Sequence, residues 1–172
     1  MVALFAANAD AQTYRRQQRE PKEVEHPAPA VPVDKRDSVV TAGSFAGKPY
    51  WLALAQCGGI HFKLNVLYTD IAVHARVVKP DPKLNAEFTK KLNDAIRTAT
   101  VFFNAAERFL MTDRGLERVD AVLIYDEQSR AAGDRVKTID AALAAAQACP
   151  ALYAACQQNN AKACSEPLSP MS

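Results

Sequence analysis

The stretch 79–112, KPDPKLNAEFTKKLNDAIRTATVFFNAAERFLMT, is the clearest indication of fold class in this 172-residue chain. After a proline-containing turn, apolar residues recur every three or four positions, which is the spacing of one buried helix face. They are Leu84, Phe88, Leu92, Ile96, Ala99, Phe103, Ala106 and Leu110, with Phe102 and Phe109 beside them. Asp81 suits the N-cap, Pro82 the first helical position and Gly115 the C-terminal stop. The pattern therefore predicts a long amphipathic helix over 82–112.

Two more long helices flank this one. The same spacing predicts helices over 49–78 and 116–148, followed by a short helix over 151–161. Gly58-Gly59 interrupts the first and predicts either a kink or the close approach of another segment. Residues 126–134 form a polar middle in the third and indicate a break there, or a part that passes beyond the core. Tight turns between helices favour an all-α fold, which we predict as an antiparallel up-down bundle of three long helices plus a short C-terminal helix, disulfide-linked.

The two ends of the chain differ from this helical region. Residues 1–11 combine a short apolar run with the small-residue pattern Ala9-Asp10-Ala11, typical of the end of a signal peptide; the alternative is an ordinary disordered tail. Residues 12–37 are polar and then proline-rich, which predicts a disordered linker. We place the bundle domain at 38–164 and a flexible tail at 165–172.

Charge and cysteine content limit the partners and the compartment. The formal net charge is only +2, from 21 basic and 19 acidic residues, so nucleic acid is not predicted as a partner. No run approaches the ~18 apolar residues of a membrane span, so no transmembrane segment is predicted. Four cysteines, an even number, favour two disulfides in an oxidising compartment. We therefore expect a periplasmic or secreted protein.

Pairing of the four cysteines follows from the predicted bundle. In an up-down arrangement Cys57 lies near the bottom of the first helix and Cys149 at the top of the third, too far apart for a disulfide. Cys164 can return to the level of Cys57 after the short fourth helix. The prediction is Cys57–Cys164 with Cys149–Cys156, and the alternative is Cys57–Cys156 with Cys149–Cys164.

Cofactor motifs are missing from the sequence. It has no C-x-x-C-H for c-type haem, no Glu-x-x-His for a bundle di-iron site and no C-x-x-C for zinc, so no cofactor is predicted. Asp70 and His74 stand one helical turn apart, where a carboxylate and an imidazole could share a metal. Two ligands are few for a metal site, and a surface ion pair is the favoured interpretation of this pair.

A second group of candidates lies on the first predicted helix. His61, Asn65 and Tyr68 follow one another at helical spacing beside Gly58-Gly59. They could line a pocket for a small ligand or a porphyrin edge, with the glycines allowing close approach. The commoner alternative is a hydrogen-bonded core network, because buried polar groups find partners.

Signals for catalysis are weak. Ser129 has no evident histidine partner. Asp126 and Glu127 are adjacent in sequence and point about 100° apart on a helix, so they predict a solvated face rather than a dyad. Phe88, Phe102, Phe103 and Phe109 predict core, with enough aromatic surface left for a partner-binding groove.

These observations favour an exported (periplasmic) helical protein with a non-enzymatic structural or partner-binding role in the cell envelope. Its expected partner is another protein or a second copy of itself. The alternative is a helical bundle that binds a small ligand or a cofactor such as a metal or haem. A third hypothesis is a hydrolase whose site the sequence does not reveal.

Overall fold

The computed structural model describes residues 34–168, and this part of the chain is all-helical. Its helices are α1 (Tyr50–Val73), α2 (Pro82–Arg114), α3 (Arg118–Asp134), α4 (Ile139–Ala146) and α5 (Cys149–Asn159), with a π-helical turn at His74–Val78 after α1. The predicted all-α class and the two disulfides are confirmed. The predicted signal remnant, and the linker up to residue 33, lie outside the described residues.

Helices α1 and α2 form an antiparallel hairpin. Successive aromatic residues of α1 meet α2 in reverse order, which fixes the relative direction of the two helices. The ring pairs are Tyr50–Phe109, His61–Phe102 and Tyr68–Phe88, with centroids 5.1, 5.5 and 5.6 Å apart. The apolar face of the amphipathic α2 packs on α1, and α1, which is buried on several sides in its first half, also contacts α3, α4 and α5.

The ends of α2 are set by the residues that the sequence indicates. The Asp81 carboxylate accepts a hydrogen bond from the Leu84 N–H at 3.0 Å, and Pro82 occupies the first turn. Gly115 follows the helix with φ at 66°, a left-handed conformation that glycine adopts without a Cβ penalty. The predicted caps are confirmed, and the helix extends two residues beyond Thr112.

The third predicted long helix is in fact two helices. α3 ends at Asp134, and Thr138 caps α4 by accepting a hydrogen bond from the Ala141 N–H at 3.2 Å. The arrangement of three long helices is therefore not confirmed for the described residues, whereas the end of α3 at Asp134 agrees with the predicted break near 126–134. The break follows Gly133, whose low helix propensity weakens the end of α3, while Thr138 supplies a new N-cap.

Small residues let α3 approach α1 closely. A methyl group on Gly59 would overlap the Ser129 backbone, and one on Gly133 would come within 3.0 Å of the Gly59 carbonyl oxygen. A methyl group on Gly58 would overlap the Phe103 ring on α2. α1 continues as an α-helix through both glycines, so Gly58-Gly59 marks a close approach, the second of the two predicted readings.

The disulfide pairing corrects the sequence-based prediction. Cys57 is bonded to Cys149 with Cα atoms 5.8 Å apart, and Cys156 to Cys164 with Cα atoms 5.9 Å apart. Both predicted pairing schemes are wrong, because they assumed that 116–148 is one helix rising away from Cys57. Instead α3 ends beside Gly59, and the short α4 returns toward the start of α1 and brings Cys149 to Cys57.

The core is densest around the first half of α1. There the hairpin, α5 and both disulfides enclose large apolar side chains: Trp51, Leu54, Phe102, Phe109, Leu110 and Tyr153. A second, smaller cluster centres on Leu64 and Tyr68, with Ala95 of α2 and Ala142 and Ala146 of α4. Toward the turn between α1 and α2 burial becomes sparse, and α2 has no fully buried residue before Ala95.

Both edges of the described chain pack on the domain. Asp37 is buried in an ion pair with Arg114, and Glu166 pairs with Arg108 at 2.7 Å. The Tyr153 hydroxyl donates to the Glu166 carbonyl oxygen, also at 2.7 Å. Residues 34–37 and 165–168 thus contact the bundle, while the boundaries of the linker and of the tail stay predictions and residues 169–172 lie outside the described residues.

One stretch of the described residues, Ile139–Asn159, is long and apolar enough to cross a membrane by length and composition alone. The sequence analysis did not predict it. It comprises α4 and α5, and its Cys149 and Cys156 are bonded within the domain. The core helices of folded domains pass the same test, so this stretch is weak support for a membrane span.

Candidate functional site

His61 is the most unusual polar residue on α1. Its side chain is 1% exposed and stacks on the Phe102 ring, and its Nδ1 has no hydrogen-bond partner within residues 34–168. Burial lowers the pKa of His61 to about 4, because the charged imidazolium is disfavoured away from water. His61 is therefore neutral near pH 7.

The other two predicted pocket residues have partners of their own. The Asn65 Nδ2 donates to the Leu92 carbonyl oxygen at 3.0 Å, and the Tyr68 ring packs edge-on against Phe88. Burial also raises the pKa of Tyr68, which keeps the hydroxyl protonated. His61, Asn65 and Tyr68 all lie at the α1–α2 contact, but no hydrogen bond joins them within the described residues.

Space beside Gly58-Gly59 is taken up by the protein itself. The Phe103 ring fills the position next to Gly58, and the Ser129 backbone fills the position next to Gly59. A ligand could approach Gly58 only if the Phe103 ring moved, and Gly59 only if α3 moved. The arrangement favours the core-packing interpretation of this pair over the ligand-binding one.

The predicted metal pair lies on the surface. Asp70 and His74 are both exposed, and no third acidic, histidine or cysteine side chain completes a group of metal ligands with them among residues 34–168. Two exposed ligands leave most of a coordination sphere to water. This pair therefore stays a weak prediction.

Ser129 is not placed for nucleophilic catalysis. Its hydroxyl donates to the Asp126 carbonyl oxygen at 2.9 Å, within its own helix. The Asp126 carboxylate pairs with Arg130 at 2.6 Å on a half-exposed face. Because His61 stacks on Phe102 instead, the structure offers no serine–histidine pair within the described residues.

A buried ion pair escaped the sequence analysis. Arg114 donates to both oxygens of Asp37 at 2.7 Å, the Trp51 Nε1 donates to the same carboxylate at 3.2 Å, and the Arg114 guanidinium lies 5.0 Å from the Trp51 ring centroid. Burial raises the pKa of Asp37, but the hydrogen bonds from Arg114 and Trp51 outweigh it and leave this pKa below its usual range. The partners lie 77 residues apart, and no local pattern points to the pair.

One face of α1 carries exposed apolar side chains. Phe62, Val66, Val73 and Val77 are 47%, 38%, 43% and 65% exposed, and their spacing keeps them on one side of the helix. The same side is covered by α3 near Gly59, but α3 ends there. We call these four residues the uncovered face.

The turn between α1 and α2 extends this face. Val78 is 69% exposed and Leu84 is 36% exposed, next to Val73 and Val77 of the uncovered face. We call residues 73–84 the hairpin tip. Two backbone hydrogen bonds hold it: Lys79 N–H to His74 O at 3.1 Å and Asp81 N–H to Ala75 O at 2.7 Å.

Charge is also concentrated at the hairpin tip. Arg76, Lys79 and Lys83 are exposed there against a single carboxylate, Asp81, which caps α2. None of the three cations makes an ion pair with another described residue. The tip thus carries a formal charge of +2, equal to that of the whole chain, so the rest of the chain is balanced.

The four phenylalanines of α2 do not form a groove. Phe102 and Phe109 are buried, Phe103 fills the space beside Gly58, and Phe88 packs on Tyr68. They are core residues, the first of the two predicted roles. Among residues 34–168 the exposed phenylalanine is Phe62 on α1, which the sequence analysis did not single out.

Comparisons of the chain with known protein families, with curated proteins and with solved structures found no match. Any function must therefore be inferred from the residues described above.

Proposed function

We propose that this is an exported helical protein with a non-enzymatic role in the cell envelope, which it fulfils by binding a partner through the uncovered face of α1 and the hairpin tip. The single observation that carries this proposal is the exposure of Phe62, Val66, Val73 and Val77 along one side of a helix. Contiguous exposed apolar surface on a folded protein is typical of an interaction site.

Disulfide bonding supports the exported location. All four cysteines are paired, and the residues that they join are buried. Such bonds persist in oxidising compartments and are rare where thiols are kept reduced. A periplasmic or secreted location is consistent with this pairing.

The binding role is favoured over the two alternatives by what occupies the candidate sites. Protein atoms fill the space beside Gly58 and Gly59, which disfavours a ligand or haem edge there. The hydroxyl of Ser129 is engaged by its own helix, which disfavours a hydrolase built on it. By contrast, the four side chains of the uncovered face stay between 38% and 65% exposed.

Two measurements test the proposal. Alkylation under denaturing conditions immediately on cell lysis, with and without prior reduction, followed by mass spectrometry, reads out the thiols, because all four cysteines are buried in the folded protein. We expect no alkylation before reduction and four alkylated cysteines after it. Free thiols in the native protein would contradict export.

Photo-crosslinking from the uncovered face tests binding. We expect a photoreactive residue at Val66 to give a specific adduct in intact cells. The same residue at Gln157, an exposed position on α5, is the matched control. Equal adduct yields at both positions would mean that the uncovered face is not a binding surface.

A further inference from the structure

The hairpin tip combines apolar and cationic groups in a way that identifies one class of partner. We propose that the tip docks on an anionic lipid bilayer, with Val77, Val78 and Leu84 entering the interfacial layer and Arg76, Lys79 and Lys83 meeting the lipid phosphates. This inference rests on the proposed function in that it names the partner of the same surface.

The apolar side chains of the tip are few and highly exposed. Val77 and Val78 are the most exposed apolar side chains of the hairpin, at 65% and 69%, and they lie at the turn between α1 and α2. Four exposed aliphatic side chains are far fewer than the roughly 20–30 residues a side that a stable protein interface uses. A fluid bilayer interface needs no complementary groove, so a few exposed aliphatic side chains at a turn fit it better than they fit another protein.

The second part is charge complementarity. The tip holds the entire excess positive charge of the chain, on side chains that no described residue pairs with. Peripheral binding to bilayers needs both buried apolar area and electrostatic attraction to anionic lipids, because one contribution alone binds weakly. The hairpin tip, residues 73–84, provides both the exposed apolar side chains and the cationic groups.

The third part is preorganisation. The π-helical turn at His74–Val78, the two backbone hydrogen bonds of the tip and the Asp81 cap fix the backbone before any partner arrives. Pro80 and Pro82 further restrict this turn. Little conformational entropy is therefore lost on docking. Single π-helical turns are frequent at functional sites, which agrees with this placement.

Vesicle binding by the full, oxidised chain tests the inference. Sedimentation is measured with large vesicles of phosphatidylglycerol and phosphatidylcholine in equal amounts, and with vesicles of phosphatidylcholine alone. We expect binding to the first and little binding to the second. Added salt should weaken the binding, since it screens exposed charges.

Matched variants locate the binding surface. Lys79→Gln with Lys83→Gln should lower the partition coefficient by about 25-fold, on the scale of about fivefold for each basic residue near an anionic surface. Lys35→Gln with Lys162→Gln removes the same charge from exposed sites away from the tip and should have little effect. Equal losses from both pairs would overturn the inference.

The apolar contribution has its own pair of variants. Val77→Ser with Val78→Ser should lower binding by about tenfold or more, because it removes the side chains that enter the interface. Val119→Ser with Leu123→Ser, equally exposed on α3, is the control and should leave binding unchanged. An unchanged partition coefficient for the Val77/Val78 variant would overturn the proposal.

The outcome also separates this inference from the proposed function. If anionic vesicles do not bind but the photoreactive residue at Val66 captures a protein, the lipid inference fails and the binding role stands. If the vesicles do not bind and Val66 gives no more adduct than Gln157, both fail.

Discussion

The two ends of the α1–α2 hairpin are made from the same two helices and are covered very differently. Near Tyr50 and Arg114 the hairpin is enclosed by α3, α5, both disulfides and the Asp37–Arg114 ion pair. At the hairpin tip, among the described residues, α1 and α2 pack mainly against each other, and the side chains of Val73, Val77 and Val78 are exposed to solvent. The enclosed end stabilises the fold, whereas the hairpin tip leaves apolar surface exposed for contact with a partner.

The largest effect is expected from the disulfide that closes the enclosed end. Cys57→Ala with Cys149→Ala opens a loop of 92 residues and should lower the free energy of unfolding by about 4–5 kcal/mol. Cys156→Ala with Cys164→Ala opens a separation of only 8 residues and should cost about 2–3 kcal/mol. Urea unfolding of the two variants measures both. Equal losses would mean that loop length does not govern their contributions.

The ion pair of the enclosed end comes next. Asp37→Ala leaves Arg114 buried without its carboxylate, which should lower the free energy of unfolding by about 3–5 kcal/mol. Asp34→Ala, which breaks the exposed pair with Arg36, is the control and should change it much less. If both variants lost the same stability, burial of the Asp37 pair would not be the cause.

The pH dependence of this pair has a defined sign. Because Arg114 and Trp51 hold the pKa of Asp37 below its usual range, the pair stabilises the fold above the pKa of an unfolded aspartate, about 3.9. This contribution is lost as the pH falls below that value. Unfolding of the Asp37→Ala variant should lack this part of the acid loss.

Helix packing gives the third effect. Gly59→Ala places a methyl group against the Ser129 backbone, so α3 must move, whereas Gly58→Ala meets only the Phe103 ring, which can rotate. Overpacking costs about 1–3 kcal/mol, and alanine regains about 1 kcal/mol through its higher helix propensity. We therefore expect the free energy of unfolding to fall by about 2 kcal/mol for Gly59→Ala and hardly at all for Gly58→Ala. Thermal unfolding compares them, and the reverse order would contradict the close approach of α3.

His61 gives a smaller effect at neutral pH. His61→Leu removes an unpaired buried nitrogen and should stabilise the fold by about 1 kcal/mol at pH 7. As the pH falls from 6.5 toward 4, the unfolded His61 takes up a proton that the folded one does not, and the wild type should lose up to about 3 kcal/mol. Unfolding at several pH values should give a flatter profile for His61→Leu, and parallel profiles would refute the burial of a neutral imidazole.

The smallest effect belongs to the exposed part of the hairpin. Glu87→Gln removes an i,i+4 pair with Lys91 on a solvated helix face and should cost about 0.3 kcal/mol. Set beside Asp37→Ala in the same unfolding experiment, it measures how far burial raises the contribution of an ion pair. A loss as large as that of Asp37→Ala would remove the contrast between the two ends.

Features governed by local chemistry could be predicted from the sequence. The α2 boundaries follow from Asp81, Pro82 and Gly115, which act within one turn of the helix. The crowding at Gly58-Gly59 was also foreseeable, because a glycine pair inside an apolar helix pattern needs a reason. The even number of cysteines was enough to predict two disulfides.

Features that depend on long-range geometry could not be predicted from the sequence. The cysteine pairing was wrong because it treated 116–148 as one continuous helix, although the polar stretch 126–134 had indicated a possible break; the break that follows Asp134 reverses the direction of the chain that carries Cys149. A threonine before an alanine-rich helix is an N-cap signal, so that error had a readable cause. The ion pair between Asp37 and Arg114 joins residues 77 positions apart, and no local sequence pattern predicts it.

The anchoring of Asp37 beside Arg114 also fixes the reach of the molecule. α2 has 33 residues, so Arg114 lies about 50 Å along the helix axis from Pro82 at the tip. Whatever precedes residue 34 joins the domain at the end remote from the tip. A protein held at residue 34 would therefore carry the tip about 50 Å away, at the far end of α2.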